Sequence, residues 1–213
     1  MKMKHIFFDL DGTIIDSSEG IYKGILFAVE KLGSPVPSKA TLQSFIGPPL
    51  LDSFRNLGLS EGLAKQAVAY YRDYYAQKGV LQAKEYKGIA ETLAALAKDA
   101  QMYIATSKPE IFAKEILKNL DLSQYFSGIY GADLEGKRNT KGDVLAYALA
   151  ESQVTAKSRS VMIGDRSHDM IGAKQNGLGA IGVLYGFGSA QELVDTGAID
   201  LAQSPNDLLR LIH

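Results

Sequence analysis

The sequence predicts an α/β protein: a parallel sheet covered by helices, with a block of helices inserted after the first strand. Three observations carry this. Short apolar runs alternate with helical patterns along most of the 213 residues. The first run, HIFFDL from His5 to Leu10, lacks the polar alternation of a half-exposed strand and suits one buried on both faces. The rhythm then stops between about Asp16 and about Lys84, where only helical patterns are found.

Taken in order, HIFFDL is the first strand. The insert reads as helices at roughly Ser17–Leu32, a short one near Ser38–Phe45, Leu50–Leu57 and Glu61–Lys78. Asp16 with Glu19 makes a capping pair for the first, and Ser60 a cap for the last. FIGPPL, Phe45 to Leu50, is a rigid turn that reads equally as a helix break or a substrate contact. Tyr70, Tyr71, Tyr74 and Tyr75 recur at helical spacing, which favours packing. Beyond the insert, an amphipathic IAETLAALAKDA leads into a second strand, MYIATS, Met102 to Ser107. GIYGA (Gly128–Ala132) is a weaker third strand, SVMIGD (Ser160–Asp165) a fourth and AIGVLYG (Ala180–Gly186) a fifth, with AKEILKNL and TKGDVLAYALAES as helices between them. The expected division is a core of residues 1–15 and 85–213 and a helical domain of residues 16–84.

Composition narrows the function. With 46% hydrophobic and 22% charged residues this is an ordinary globular chain. A formal net charge of -1 offers no basic footprint for nucleic acid or an acidic membrane. The absence of cysteine excludes disulfides, thiolate metal sites and thiol catalysis, and fits a reducing cytoplasm. Asp9 and Asp11 interrupt the basic, apolar start before a signal-peptide core forms, and no apolar stretch reaches the length of a membrane span.

The chemistry gathers at the strand ends. Asp9 and Asp11, two apart at the end of the first strand, can point to the same side, and Gly12 lets the backbone turn sharply and approach a ligand. That place, beyond the carboxyl end of a strand, is where open α/β sheets bind ligands. Two neighbouring carboxylates repel, so the pair suits a metal site or a nucleophile beside a general acid. Asp165 and Asp169 form a second acid pair after SVMIG. Such hard oxygen ligands suit Mg²⁺ better than zinc, and His168 between them reads as an exposed helix residue. Thr106 and Ser107 close MYIATS with a hydroxyl and backbone N–H groups able to hold an anionic oxygen. Thr140 and Asp143 look like the two ends of a capping pair, which puts Lys141 in a first helical turn, where it opposes the helix dipole. A buried anion between it and the acids would be a reason. Lys137 and Arg138, beside it, read as a solvated basic loop.

In this order, DLDGT, IATS, Lys141 and GDRSHD resemble the four motifs of the haloacid dehalogenase superfamily, and the helical insert resembles its C1-type cap. The stretch from IGDRSHD to LYGFG is most similar to the phosphoglycolate-phosphatase-like branch, especially members described as 5′-nucleotidase-like. The resemblance implies a Rossmann-like three-layer core and a Mg²⁺-dependent phosphatase of a small phosphorylated metabolite, a nucleoside 5′-monophosphate or phosphoglycolate. It implies Asp9 as the nucleophile forming an aspartyl-phosphate and Asp11 as the general acid and base. It also implies Asp9, the Asp11 carbonyl, Asp165 and Asp169 as the metal site, with Thr106 and Lys141 on the phosphoryl group and Gly12 and Ser107 as backbone donors. A sugar phosphomutase shares these motifs and differs in passing phosphate to a sugar phosphate. A phospho-accepting signalling domain fits less well, because its acids near the first strand are typically adjacent and it has no helical insert.

Overall fold

A computed structural model describes residues 3–135, 137–138 and 140–212. The chain opens with β1 (His5–Phe8) and the short β2 (Ile15–Asp16), then runs through α1 (Ser18–Lys31), α2 (Lys39–Gln43), α3 (Leu50–Asn56) and α4 (Glu61–Gln77). After β3 (Lys84–Glu85) come α5 (Ile89–Leu96), β4 (Gln101–Pro109), α6 (Glu110–Asn119) and β5 (Gly128–Ala132). The last part holds α7 (Lys141–Glu151), β6 (Ser160–Gly164), α8 (Ser167–Gln175), β7 (Gly179–Val183), α9 (Ala190–Asp195), β8 (Asp200–Ala202) and α10 (Leu208–Leu211). By its contacts the chain divides into two units, Met1–Asp16 with Glu85–His213, and Ser17–Lys84.

The first unit is built on a six-stranded sheet in the order β5-β4-β1-β6-β7-β8, with every pairing parallel. Alternate residues of a strand face opposite sides, and here both sides are dry. On one side Phe7, Tyr103, Ala105 and Met162 pack with Val144, Leu145 and Ala148 of α7 and with Met170 and Ala173 of α8. On the other, Ile6, Phe8, Ile104 and Ile163 are equally buried, and Phe8 meets Phe126 edge-on at 6.2 Å. Burial on both faces is as expected of an apolar, unalternating HIFF, and the arrangement is the α/β Rossmann-like one that the resemblance implies. The chain leaves β1 for β4 on one side and returns to β6 on the other, so β1 sits at the topological switch point. In register, Phe8 lies beside both Ile104 and Ile163, which brings the ends of β4 and β6 level with the residue after β1.

Four strands differ from expectation, the two-residue β2 and β3 having no counterpart in the sequence reading. β4 runs on to Pro109, with its register to β5 shifted between Thr106 and Pro109. β8, three residues at the sheet edge, was too short to show any periodicity.

The second unit, Ser17–Lys84, contains α1 to α4. Gly24 lets α1 approach α4 closely, since a β-carbon there would lie 2.9 Å from the Tyr71 ring. Tyr71 and Tyr75 stack at 5.4 Å and are buried, and Tyr74 tilts against Phe27 at 5.5 Å, so three of the four tyrosines pack. In FIGPPL, Phe45 and Ile46 are buried and the left-handed Gly47 turns the chain between α2 and α3. Ser38 caps α2 through the Thr41 N–H (3.1 Å) and Ser60 caps α4 through the Leu63 N–H (3.5 Å). The Asp16–Glu19 cap does not form: Asp16 ends β2, Ser17 holds the N-cap position without a side-chain bond, and Glu19 pairs with Lys23 at 2.8 Å. Among the described residues, no helix is long and apolar enough to cross a membrane.

Candidate active site

Asp9 follows β1 directly, and its N–H donates to the Ile163 carbonyl of β6 at 2.8 Å, which extends the sheet by one residue and fixes the Asp9 backbone. The chain then folds tightly, with the Leu10 carbonyl accepting from Ile14 (2.9 Å) and Ile15 (3.0 Å) and the Gly12 N–H donating to Ile15 (2.8 Å). Gly12 has φ +83, and a β-carbon there would fall on the Asp165 carboxylate. Thr13 is fully buried beneath this turn, with its hydroxyl 3.5 Å from Asp165 Oδ1, a long contact that ties the first acid loop to the second.

Asp165 follows β6 and is completely buried. Its Oδ2 accepts from the Phe187 N–H at 2.8 Å. Phe187 lies in the loop after β7, where β-carbons on Gly186 and Gly188 would strike Asp165 itself. Asp165 is therefore neither a helix residue nor an N-cap, because α8 starts at Ser167 with Arg166 in the N-cap position. Asp169 is in the first turn of α8 and buried. Its Oδ2 accepts from the Arg166 N–H at 3.1 Å, and Gly164 leaves the space its carboxyl group fills. His168 is exposed, as expected.

Lys141 is the first residue of α7, held there by the reciprocal Thr140–Asp143 capping box. Its buried ammonium lies 2.6 Å from Asp9 Oδ1 and 2.9 Å from Asp169 Oδ1, and donates to the Ala105 carbonyl at 3.1 Å. Lys137 is exposed, while Arg138 lies 3.9 Å over the Tyr147 ring. Thr106 is buried in β4 with its hydroxyl accepting the Lys108 N–H at 3.2 Å, and Ser107 beside it is half-buried.

Asp9, Asp165 and Asp169 thus converge, with ligand oxygens within 4.8 Å of one another. The Asp11 carboxylate is not among them: its Oδ2 is paired with Lys108 Nζ at 2.9 Å. Of the expected metal set, Asp11 is left with its main-chain carbonyl alone to offer. Four carboxylates, three of them buried, against the ammoniums of Lys108 and Lys141 leave a surplus of two negative charges. The proton affinities record this surplus. Burial, opposed by Lys141 and reinforced by Asp169, raises the Asp9 carboxyl to about 6. Burial, Asp169 and Asp9 push Asp165 well above the carboxylate range against the Phe187 N–H. Burial by itself would lower Lys141, yet Asp169 and Asp9 hold its ammonium above the usual lysine range. One cation paired with Asp9 and Asp169, beside a third buried acid with no such partner, explains why the lysine is stabilised while Asp9 and Asp165 resist ionisation. An all-oxygen donor set, buried and short of positive charge, fits a hard divalent cation.

Two contributors escape the sequence reading. Phe187 acts through a main-chain N–H, for which the only trace is the pair of glycines around it. Lys108 follows the apolar run without any signal of its own, yet it is buried beside the register shift in β4 and paired with Asp11. The closeness of these loops gives a direct test: Gly12→Ala is expected to cost about 1–3 kcal/mol in backbone strain and to displace the Asp165 carboxylate, abolishing turnover. Denaturant unfolding and a phosphatase assay check it, and a variant as stable and active as the parent contradicts it.

The sequence matches the haloacid dehalogenase-like hydrolase family over residues 6–183. It is 42% identical over 195 residues, covering 91% of this chain and 88% of the relative, to a 5′-nucleotidase of Pseudomonas aeruginosa. It is 39% identical over 186 residues to the tyrosine-protein kinase PtkA of Mycobacterium tuberculosis, covering 87% of this chain and 63% of that protein. Among solved structures it is similar to a predicted phosphatase from Clostridium acetobutylicum, with a TM-score of 0.94 at 41% identity, covering 100% of this chain and 99% of the other.

Proposed function

Because the chain belongs to the haloacid dehalogenase-like hydrolases and is a phosphoric monoester hydrolase among them, we propose that it is a cytoplasmic Mg²⁺-dependent phosphatase working through an aspartyl-phosphate on Asp9. Its substrate is a small phosphorylated metabolite, a nucleoside 5′-monophosphate or phosphoglycolate. The observation that carries this reading is the Asp9–Lys141–Asp169 cluster beside Asp165. A carboxylate, a fixed cation and a buried negative surplus meeting at one switch point support a nucleophilic role for Asp9.

In the first step an Asp9 carboxylate oxygen bonds to phosphorus as the ester P–O bond breaks, and Asp11 gives a proton to the departing oxygen. In the second, Asp11 takes a proton from water as that water attacks the phosphorus of the aspartyl-phosphate, freeing phosphate and regenerating Asp9. Lys141 stays charged throughout and offsets the negative charge that gathers between Asp9 and the phosphoryl oxygens. Thr106, whose hydroxyl oxygen already accepts from Lys108, has its proton to give to a phosphoryl oxygen, and Gly12 and Ser107 add main-chain donors. Mg²⁺, held by Asp9, Asp165, Asp169 and the Asp11 carbonyl, would neutralise the approach of a carboxylate to a phosphate dianion. We assign the choice of leaving group to the helical unit, residues 16–84, as a cap domain.

Likeness to a tyrosine-protein kinase motivates one second reading, in which the phosphoryl group of Asp9 passes to an acceptor hydroxyl instead of water; a sugar phosphomutase is the same case with a sugar phosphate as acceptor. A panel of nucleoside monophosphates, phosphoglycolate and sugar phosphates separates these outcomes. Inorganic phosphate release that needs Mg²⁺ is expected, with chelation or Asp165→Asn reducing it by at least roughly 100-fold. Saturating Mg²⁺, at about 100 times its Kd, should also stabilise the parent by about 2.7 kcal/mol and leave Asp165→Asn nearly unmoved. Release indifferent to chelation overturns the reading, and phosphate found on an acceptor selects the second one.

A further inference from the structure

Lys108 is a buried charge that the two steps above leave unused. It sits where β4 loses its regular register, between Thr106 and Pro109, and such irregularities re-aim side chains beside active sites. Pro109 behind it keeps its backbone extended, and Gly131 of β5 admits the main chain here, since a β-carbon there would lie 2.6 Å from the Lys108 carbonyl. The result is a lysine side chain only 5% exposed whose Nζ lies 2.9 Å from Asp11 Oδ2, across 97 residues of sequence. The other oxygen, Asp11 Oδ1, is buried with no hydrogen-bond partner among the described residues.

From this geometry we infer that Lys108 is the positioning residue for Asp11. It holds Oδ2 and leaves Oδ1 as the oxygen that exchanges a proton with the leaving group and then with water. The same residue sets Thr106, because its N–H occupies the Thr106 hydroxyl as an acceptor and directs the hydroxyl proton elsewhere. The inference rests on the reading of Asp11 as the proton donor. It adds that the donor's aim comes from a lysine on a different strand.

A leaving-group comparison tests both parts separately. p-Nitrophenolate departs without help, whereas an alkoxide needs its proton delivered, so an acid held in place matters for one ester and not the other. With Lys108→Met, kcat/KM for p-nitrophenyl phosphate should stay within about threefold of the parent. For glycerol 2-phosphate it should fall roughly 10- to 100-fold, a share of the roughly 10²–10⁴ that a positioned proton donor contributes. The aryl ester should also show a burst of nitrophenolate, since the water-activating step is slowed after the aryl group has left. Asp11→Asn, run in parallel, should show the same contrast more strongly. If Asp11→Asn shows it and Lys108→Met loses both esters equally or neither, the positioning role is wrong and the reading of Asp11 stands. If Asp11→Asn itself loses both equally, the acid role fails and the inference with it. The aryl ester doubles as the check on folding, and Lys108→Gln is read in the same way should the methionine variant not fold.

Discussion

Replacing Lys141 with methionine is expected to destabilise the metal-free protein by about 3–5 kcal/mol, the scale on which a buried charge loses its partner. The side chain is almost completely buried, and its ammonium is ion-paired with Asp9 and Asp169 and donates to the Ala105 carbonyl. Methionine fills similar space, so the loss is electrostatic: Asp9 and Asp169 are left without their shared cation beside a third buried carboxylate, Asp165. Turnover should fall at least roughly 10³-fold, since removal of a single preorganised transition-state donor already costs about 10²–10³. Mg²⁺ should restore part of the stability and little of the activity, because it replaces the missing charge without replacing its location. Urea unfolding with and without Mg²⁺, alongside kcat, checks this. A variant within about 1 kcal/mol of the parent in the absence of metal contradicts the picture of Lys141 as the common partner of the acids.

On the proposed aspartyl-phosphate route, Asp9→Asn should lose roughly 10⁴-fold or more in kcat. Its stability should move the other way. The Asp9 carboxyl is raised from 3.8 to about 6 in the folded, metal-free protein, chiefly by burial. A group with a raised folded value binds more protons folded than unfolded across that interval, so stability falls as pH rises from about 4 through about 6. The full difference is on the order of 3 kcal/mol. The amide cannot ionise, so Asp9→Asn should be the more stable of the two at pH 7 without metal, and that part of the pH dependence should flatten. Saturating Mg²⁺ should narrow the gap by favouring the carboxylate. Unfolding curves at pH 4.5 and 7 measure the sign directly, and an Asp9→Asn variant less stable at pH 7 contradicts it.

These two residues were legible before any coordinates because their surroundings are local in sequence. An unalternating HIFF must be covered on both faces, so the acid that ends it must emerge beyond the carboxyl end of the strand, where ligands bind. Lys141 was marked by its own unsuitability, a cation at a helix start that a Thr140–Asp143 box nevertheless secures. What could not be read is what depends on partners far along the chain. Lys108 follows a strand and precedes a proline, as many solvated lysines do; nothing near it announces Asp11 97 residues away. The Phe187 N–H carries no side-chain signature, and only Gly186 and Gly188, whose missing β-carbons admit Asp165, betray a close approach. The failure at Asp16 has a simpler cause. A capping pair needs its first residue at the N-cap, and the chain holds Asp16 in a short strand instead, one residue too early.

The central claim is that Asp9 is covalently phosphorylated and that Asp11 is needed to release the phosphate. Asp11→Asn mixed with p-nitrophenyl phosphate and Mg²⁺, quenched in acid within one turnover and digested, tests it by mass spectrometry. The account predicts one added phosphoryl group on the peptide that carries Asp9, matching the burst of nitrophenolate mole for mole and absent from Asp9→Asn. A nitrophenolate burst with that peptide unmodified, or with the phosphoryl group on any other residue, would contradict it.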